Sequence, residues 1–134
     1  MHVRTLVFAA LVCLCLVAAV SAQDAAKVDP KHYTVISEND QVRILKVHYG
    51  PHEKSVMHSH PAGVAVFLTD SKGAFNYPDG KKEEMSGKAG DARYTPAVTH
   101  QPENTSDKPF EVVVVELKGK GAAKPAAKTT AQKK

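Results

Sequence analysis

A short run of strand-forming residues, a tight turn and a second short run follow one another in the stretch Ala74-Phe75-Asn76-Tyr77-Pro78-Asp79-Gly80-Lys81-Lys82-Glu83-Glu84-Met85. The central residues 78–81 favour a reversal, because proline fixes its own φ while aspartate and glycine accept the backbone angles of a turn. The stretch therefore predicts an antiparallel hairpin with strands over 74–77 and 82–85.

The same alternation of strand formers and chain breakers extends on both sides of this hairpin. Glycine or proline recurs between residues 50 and 96 at intervals too short for a helix. Further runs rich in β-branched and aromatic residues occur at 33–36, 42–49, 64–69, 91–95 and 110–117. Seven or eight short strands at this spacing predict an all-β fold, either an antiparallel barrel or a sandwich.

The first 22 residues have the composition of a secretory signal peptide. Arg4 gives a positive start, the run from Leu6 to Val17 is apolar, and Val20-Ser21-Ala22 offers the small residues of a cleavage site. An uncleaved anchor is the alternative, but a helix of this run spans only about 18 Å, against about 30 Å of hydrocarbon. We therefore expect removal of residues 1–22, a secreted or periplasmic location, and no stable membrane insertion afterwards.

The two ends of the remaining chain differ from its centre. Residues 23–30 contain alanine, aspartate and proline without a sustained period and are interpreted as a linker. Residues 118–134 are rich in lysine and alanine and are predicted to be disordered. The six lysines of this tail exceed the net charge of +4, so the centre of the chain is mildly acidic. We expect no nucleic-acid partner, with adhesion of the tail to an anionic surface as the alternative.

Cysteine is confined to the apolar leader, at Cys13 and Cys15. The mature chain would then have neither a disulfide nor a thiolate ligand. Histidine and carboxylate remain as the side chains able to bind a metal.

Two histidines separated by one residue, His58 and His60, lie in a segment of strand character. Alternate residues of a strand point to the same face, so the two imidazoles project together. Burying both is costly unless their nitrogens have partners, and a metal ion would be such a partner. The alternative is a pair on a solvated strand, since His-x-His alone is a weak signal.

A second motif strengthens the metal interpretation. Gly90, Pro96, His100 and Asn104 follow one another in the order glycine, proline, histidine, asparagine. Together with the histidine pair, these residues resemble the two sequence motifs of the cupin superfamily.

The resemblance covers residues 42–117 and implies that the folded domain, taken as residues 31–117, is a jelly-roll-like antiparallel β-barrel of the cupin type. It also implies that His58, His60 and His100 together bind a divalent transition metal.

The chain departs from the family's pattern in one important place. The glutamate expected four or five residues after His60 is replaced by Val64 or Ala65. A three-histidine set therefore stands where the family more commonly has three histidines and one carboxylate. Neutral imidazoles that leave coordination positions open suit Fe(II), with Zn, Mn, Ni and Cu as alternatives.

Three-histidine cupins similar to this one include dioxygenases. The resemblance therefore implies a dioxygenase-like enzyme that acts on a small organic substrate. A non-catalytic cupin that binds a small ligand or a metal in the cell envelope is the alternative, because one fold hosts many functions. Pairing of two copies through a sheet edge, giving a homodimer, stays open.

Four further residues are candidates for the surroundings of the site. Arg93 and Tyr94, in the strand before the second motif, are candidates for substrate binding, the arginine through a substrate carboxylate. Glu103 and Asn104 are candidates for orienting His100 by hydrogen bonds. Each also has a simpler interpretation as a surface or core residue.

Overall fold

The computed structural model describes residues 23–119, which form one short helix and nine strands. The elements are α1 Ala25–Val28, β1 Tyr33–Glu38, β2 Val42–Tyr49, β3 His58–His60, β4 Gly63–Phe67, β5 Ser71–Asn76, β6 Lys82–Gly87, β7 Ala92–Thr95, β8 Val98–Asn104 and β9 Phe110–Leu117. The predicted signal peptide and most of the predicted tail lie outside the described residues. Within residues 23–119, no helix has the length and apolar character needed to cross a bilayer.

The strands of the described part form two antiparallel sheets around a shared core. One sheet has the order β1-β2-β9-β4-β7 and the other the order β3-β8-β5-β6. Along β2 and β9, buried residues alternate with more exposed ones, which places Leu45, Val47, Phe110 and Val112 in the core between the sheets. This architecture confirms the predicted all-β, antiparallel fold class.

The hairpin predicted from residues 74–85 is present as β5 and β6. The turn is closed by the Tyr77 backbone N–H, which donates to the Lys81 carbonyl oxygen at 2.8 Å. Gly80 has φ +83°, a conformation that glycine adopts without the steric cost met by other residues.

Strand β8 is absent from the sequence-based prediction, which places no strand between residues 95 and 110. The Pro102 carbonyl accepts from the Ser55 backbone N–H at 2.9 Å, on the side away from β5. The missing N–H of this proline therefore points away from the β5 ladder, where a proline is tolerated.

Residues 23–30 belong to the folded domain, which corrects their interpretation as a linker. The Asp24 side chain caps α1 by accepting from the Lys27 backbone N–H at 3.2 Å, and Ala25 is completely buried. The Gln23 carbonyl accepts from the backbone N–H of Ser59, at 2.7 Å. A four-residue helix with one buried alanine is too short to show a hydrophobic period, so the pattern missed it.

Candidate metal centre

Pairing of β3 with β8 brings the three histidines together. His58 lies directly opposite His100, and His60 lies opposite Val98. Each histidine offers one ring nitrogen to a cluster in which these atoms all lie within 4.8 Å of one another. His58 is only 1% exposed and His100 only 8%. The structure therefore confirms that the three predicted ligands share one buried place.

Hydrogen bonds at the Nδ1 atoms fix the tautomers of two of the rings. His58 Nδ1 donates to the Val56 carbonyl at 2.9 Å, and a carbonyl can only accept. His60 Nδ1 donates to Glu116 Oε1 at 2.7 Å. A neutral ring with its hydrogen on Nδ1 presents the lone pair of Nε2 to the cluster.

The two Nε2 atoms lie 3.0 Å apart. Two ring nitrogens approach this closely when a cation, either a proton or a metal ion, lies between their lone pairs. His100 adds a second indication of a bound cation, because both of its ring nitrogens are buried without a hydrogen-bond partner in the part of the chain that the structure describes. Buried polar atoms are rarely left unpaired in folded proteins. The donor set therefore fits a metal ion held by His58, His60 and His100.

Burial keeps the rings of His58 and His100 uncharged. It lowers the pKa of His58 to about 4, with a further contribution from the charge of His60. It also lowers the pKa of His100 to about 3, again with contributions from the neighbouring histidines. At neutral pH both rings are in the neutral form that ligates a metal.

We expect the metal-free protein to lose stability as the pH falls below 6.5. The folded-state pKa values of His58 and His100 lie below the ordinary value of 6.5, so the unfolded chain takes up protons that the folded chain does not. Each unit of difference in pKa between the folded and unfolded states corresponds to about 1.4 kcal/mol of free energy. The free energy of unfolding, measured with urea in the presence of a chelator, should fall from pH 6.5 towards pH 4. A flat profile over this window would contradict the assignment of buried, neutral rings.

The Glu116 carboxylate accepts the hydrogen bond from His60 Nδ1 and so holds the ring in place. The Glu116 side chain is 2% exposed, and it also accepts from Arg43, with 2.6 Å between Glu116 Oε2 and Arg43 Nη2. Arg43 in turn pairs with Asp24 at 2.6 Å. Burial alone would raise the pKa of Glu116, but hydrogen bonds from His60 and Arg43 hold it below its ordinary value. A carboxylate is thereby fixed against the Nδ1 side of a ligand ring, as in other metal sites.

A second polar chain supports His58. Ser55 Oγ lies 3.2 Å from His58 Nδ1 and donates its own proton to Asp29. Asp29 also accepts from His32 Nδ1 at 2.7 Å, and His32 Nε2 lies 3.1 Å from Glu53. The Asp29, His32 and Ser55 side chains are all buried, so this chain holds the ring of His58 from within the core.

Both supporting chains begin in the N-terminal arm, residues 23–32, part of which was interpreted as a linker. Asp24 reaches His60 through Arg43 and Glu116, and Asp29 reaches His58 through Ser55. The arm therefore contributes to the rigidity of the site, although it contains no predicted ligand.

Replacement of Glu116 with glutamine should weaken metal binding by about 10-fold to 100-fold. The amide can still accept from His60, but the negative charge behind the ring is lost. Calorimetric titration with Fe(II) or Zn²⁺ measures the effect. Glu111→Gln is the matched control, because Glu111 lies on the same strand and pairs with the exposed Lys46. Equal losses in the two variants would show that Glu116 has no special role.

Arg93 and Tyr94 do not lie at the site, which corrects their prediction as substrate-binding residues. Arg93 donates to Asp91 at 2.9 Å and to the Ser86 carbonyl at 2.7 Å on the outer surface. Tyr94 is 55% exposed. Both belong to β7, an edge strand of the five-stranded sheet, and neither is part of the histidine cluster.

Glu103 and Asn104 do not orient His100, which corrects the second prediction. Glu103 pairs with Lys82 at 2.6 Å, and Asn104 donates to the carbonyl oxygens of Gly50 and Lys108. Asn104 is buried but serves to tie two loops together. The His100 ring has no hydrogen-bond partner within the described residues.

A cavity of about 200 Å³ opens beside the cluster, and His60 and His100 form part of its wall. The rest of the wall comes from both sheets and is mainly apolar and aromatic. A metal held by the histidines would thus lie next to a largely apolar, partly open space of small-molecule size.

Two packed antiparallel sheets with a histidine cluster between them define a double-stranded β-helix with a candidate metal centre. The Cupin domain family matches residues 45–116, and the chain belongs to this family. No protein of curated function matches the sequence significantly.

Solved structures agree with this assignment. A cupin domain protein from Bordetella pertussis Tohama I is 26% identical, with a TM-score of 0.61 and coverage of 65% of this chain and 92% of the other. A conserved protein with a double-stranded β-helix domain from Klebsiella pneumoniae is 22% identical, with a TM-score of 0.53 and coverages of 66% and 77%. An RmlC-like cupin from Methanocaldococcus jannaschii is 16% identical, with a TM-score of 0.52 and coverages of 63% and 77%.

Proposed function

We propose that this chain is an exported metal-binding cupin that uses Fe(II) on His58, His60 and His100 for dioxygenase-like chemistry on a small organic substrate. The observation that carries the proposal is the pair of facing Nε2 atoms 3.0 Å apart, beside His100, whose two buried ring nitrogens have no hydrogen-bond partner within residues 23–119. When bound, the metal would supply open coordination positions for substrate and oxygen.

The residues around the cluster have separate tasks in this proposal. Glu116 and the Ser55–Asp29 pair hold the ligand rings in one orientation. The apolar wall of the cavity excludes water and leaves room for an organic molecule. Together they present a rigid, dry site to the substrate.

The lining of the cavity favours oxygen chemistry over hydrolysis. The lining residues include no aspartate, glutamate or lysine that could act as a general base towards a water molecule. An apolar space suits both dioxygen and an apolar substrate. This supports Fe(II) over the zinc hydrolase that three histidines would also allow.

Export is supported by the sequence. Residues 1–22 have the charge, apolar run and small residues of a signal peptide. N-terminal sequencing of the protein isolated from its native compartment tests this part of the proposal. The first residue should be Gln23. A chain that retains residues 1–22 would contradict it.

The enzymatic part is tested with protein loaded anaerobically with Fe(II). Nitric oxide should bind the metal and give a new spectroscopic signal, and phenolic or dicarbonyl compounds should stimulate O₂ uptake. His60→Ala should abolish both, while His48→Ala, at an exposed position, should change neither. Tight iron binding without any O₂ uptake would contradict the enzyme and favour a non-catalytic binding protein.

A further inference from the structure

The cavity beside the histidines gathers most of the aromatic side chains of the described chain. Residues 23–119 contain seven phenylalanines and tyrosines, and all except Tyr94 line this cavity. The six are Tyr33, Tyr49, Phe67, Phe75, Tyr77 and Phe110. A wall of this kind has many ring faces and edges to offer to another ring.

The rings stand close to the histidine cluster. The Phe75 ring lies 4.7 Å from that of His100, and Tyr33 lies 5.4 Å from His60. Tyr49 and Phe110 continue this wall, with their centroids 5.2 Å apart. An aromatic ligand in the cavity would therefore have aromatic contacts on its sides and the histidine cluster at one end.

Charged side chains are missing from the lining. Arg93 lies against the Phe67 ring at 5.0 Å, but it pairs with Asp91 at the surface and does not line the cavity. The hydroxyl groups of Tyr33 and Tyr49 are hydrogen-bonded to each other at 2.8 Å. A charged group on the body of a ligand would find no counter-charge here, and burying it unpaired is costly.

The volume of the cavity matches a ligand with one ring. An apolar cavity of about 150 Å³ can hold a benzene molecule. The cavity of about 200 Å³ therefore has room for a single six-membered ring with small substituents.

We propose that the cavity takes a neutral, single-ring phenol, with the phenolic oxygen towards His60 and His100 and the uncharged part of the ring among the six aromatic residues. The same contacts exclude a ring that carries a carboxylate on the opposite side. The orientation of the oxygen rests on the proposed function, since it requires a metal on the histidines. The preference for an uncharged body rests only on the cavity wall.

Two ligands of nearly equal size test the proposal, because one is neutral and the other charged at the far end of the ring. These are 4-hydroxyacetophenone, which is neutral there, and 4-hydroxybenzoate, which carries a carboxylate. Calorimetric titration of the full metal-loaded chain should show binding of the ketone at least tenfold tighter than that of the carboxylate. Equal affinities, tighter binding of the carboxylate, or no binding of either would overturn the proposal.

Two variants locate the binding in the cavity. Ala65→Leu fills part of the space and should weaken binding of 4-hydroxyacetophenone at least tenfold, while metal content and thermal stability report that the chain is folded. Tyr94→Ala removes the aromatic ring that lies outside and should leave the affinity unchanged. Equal affinities in Ala65→Leu and the unaltered chain would place the ligand elsewhere and refute the proposal.

The two proposals fail in different ways. A chain that retains no metal but still prefers the ketone would refute the metal centre and support the neutral cavity. A chain that retains metal but binds the ketone and the carboxylate equally would support the metal centre and refute the neutral cavity.

Discussion

Replacement of His100 with leucine is expected to stabilise the metal-free protein while abolishing metal retention. Within residues 23–119, both ring nitrogens of His100 are buried without a hydrogen-bond partner, and such unsatisfied groups cost about 1–3 kcal/mol. Leucine is similar in size and has no polar atom to bury. The free energy of unfolding measured with a chelator present should therefore rise by about this amount.

When metal is added, the same substitution should make the protein less stable than the unaltered chain. The unaltered chain gains stability from a ligand that binds only its folded state, and the variant does not. His48→Leu is the control, since His48 has a half-exposed side chain. A metal-free His100→Leu protein less stable than the unaltered chain would show that the histidine has partners that satisfy it without a metal.

Replacement of Gly63 with alanine is expected to destabilise the fold severely. A Cβ atom at this position would lie 2.3 Å from the Val115 carbonyl oxygen, where real contacts are essentially never found. Val115 belongs to β9, which pairs with β2 on one side and β4 on the other and has little freedom to move. We expect a loss of about 3 kcal/mol or more in the free energy of unfolding.

The damage should extend to the metal centre. Gly63 lies directly opposite Glu116 in the sheet, so a displaced β9 would shift the carboxylate that holds His60. Gly80→Asn is the matched control: the position has φ +83°, which asparagine tolerates, and nothing lies within 4 Å. An unfolding curve for Gly63→Ala that overlays the control would contradict the close approach of β4 and β9.

Local chemistry made part of the fold predictable. The turn at residues 78–81 and the strands 42–49 and 110–117 follow from residue type and alternation alone, and the structure gives both strands the predicted bounds. The shared direction of His58 and His60 follows from the same alternation. These features depend on neighbours along the chain, so one sequence contains enough information for them.

Strand alternation also carried a signal that was missed. Glu116 is in phase with Phe110, Val112 and Val114 on the inward face of β9, and Arg43 is in phase with Leu45 on β2. A charged residue in phase with core residues indicates a buried ion pair, which is what these two form.

The remaining contacts depend on distant parts of the chain. The approach of Asp29 to Ser55 and His58 depends on how the N-terminal arm packs on β3, which no local pattern encodes. The position of Arg93 also depends on distant parts of the chain. It pairs with Asp91 on an edge strand, and the edge position of β7 is a property of the whole sheet order.

The central claim is that His58, His60 and His100 hold a divalent metal, and elemental analysis tests it most directly. The chain should be isolated from its native compartment beside a His58→Ala, His60→Ala double variant, with circular dichroism to confirm that both are folded. We expect close to one divalent transition metal ion per unaltered chain and almost none in the variant. Equal metal content in the two proteins would contradict it.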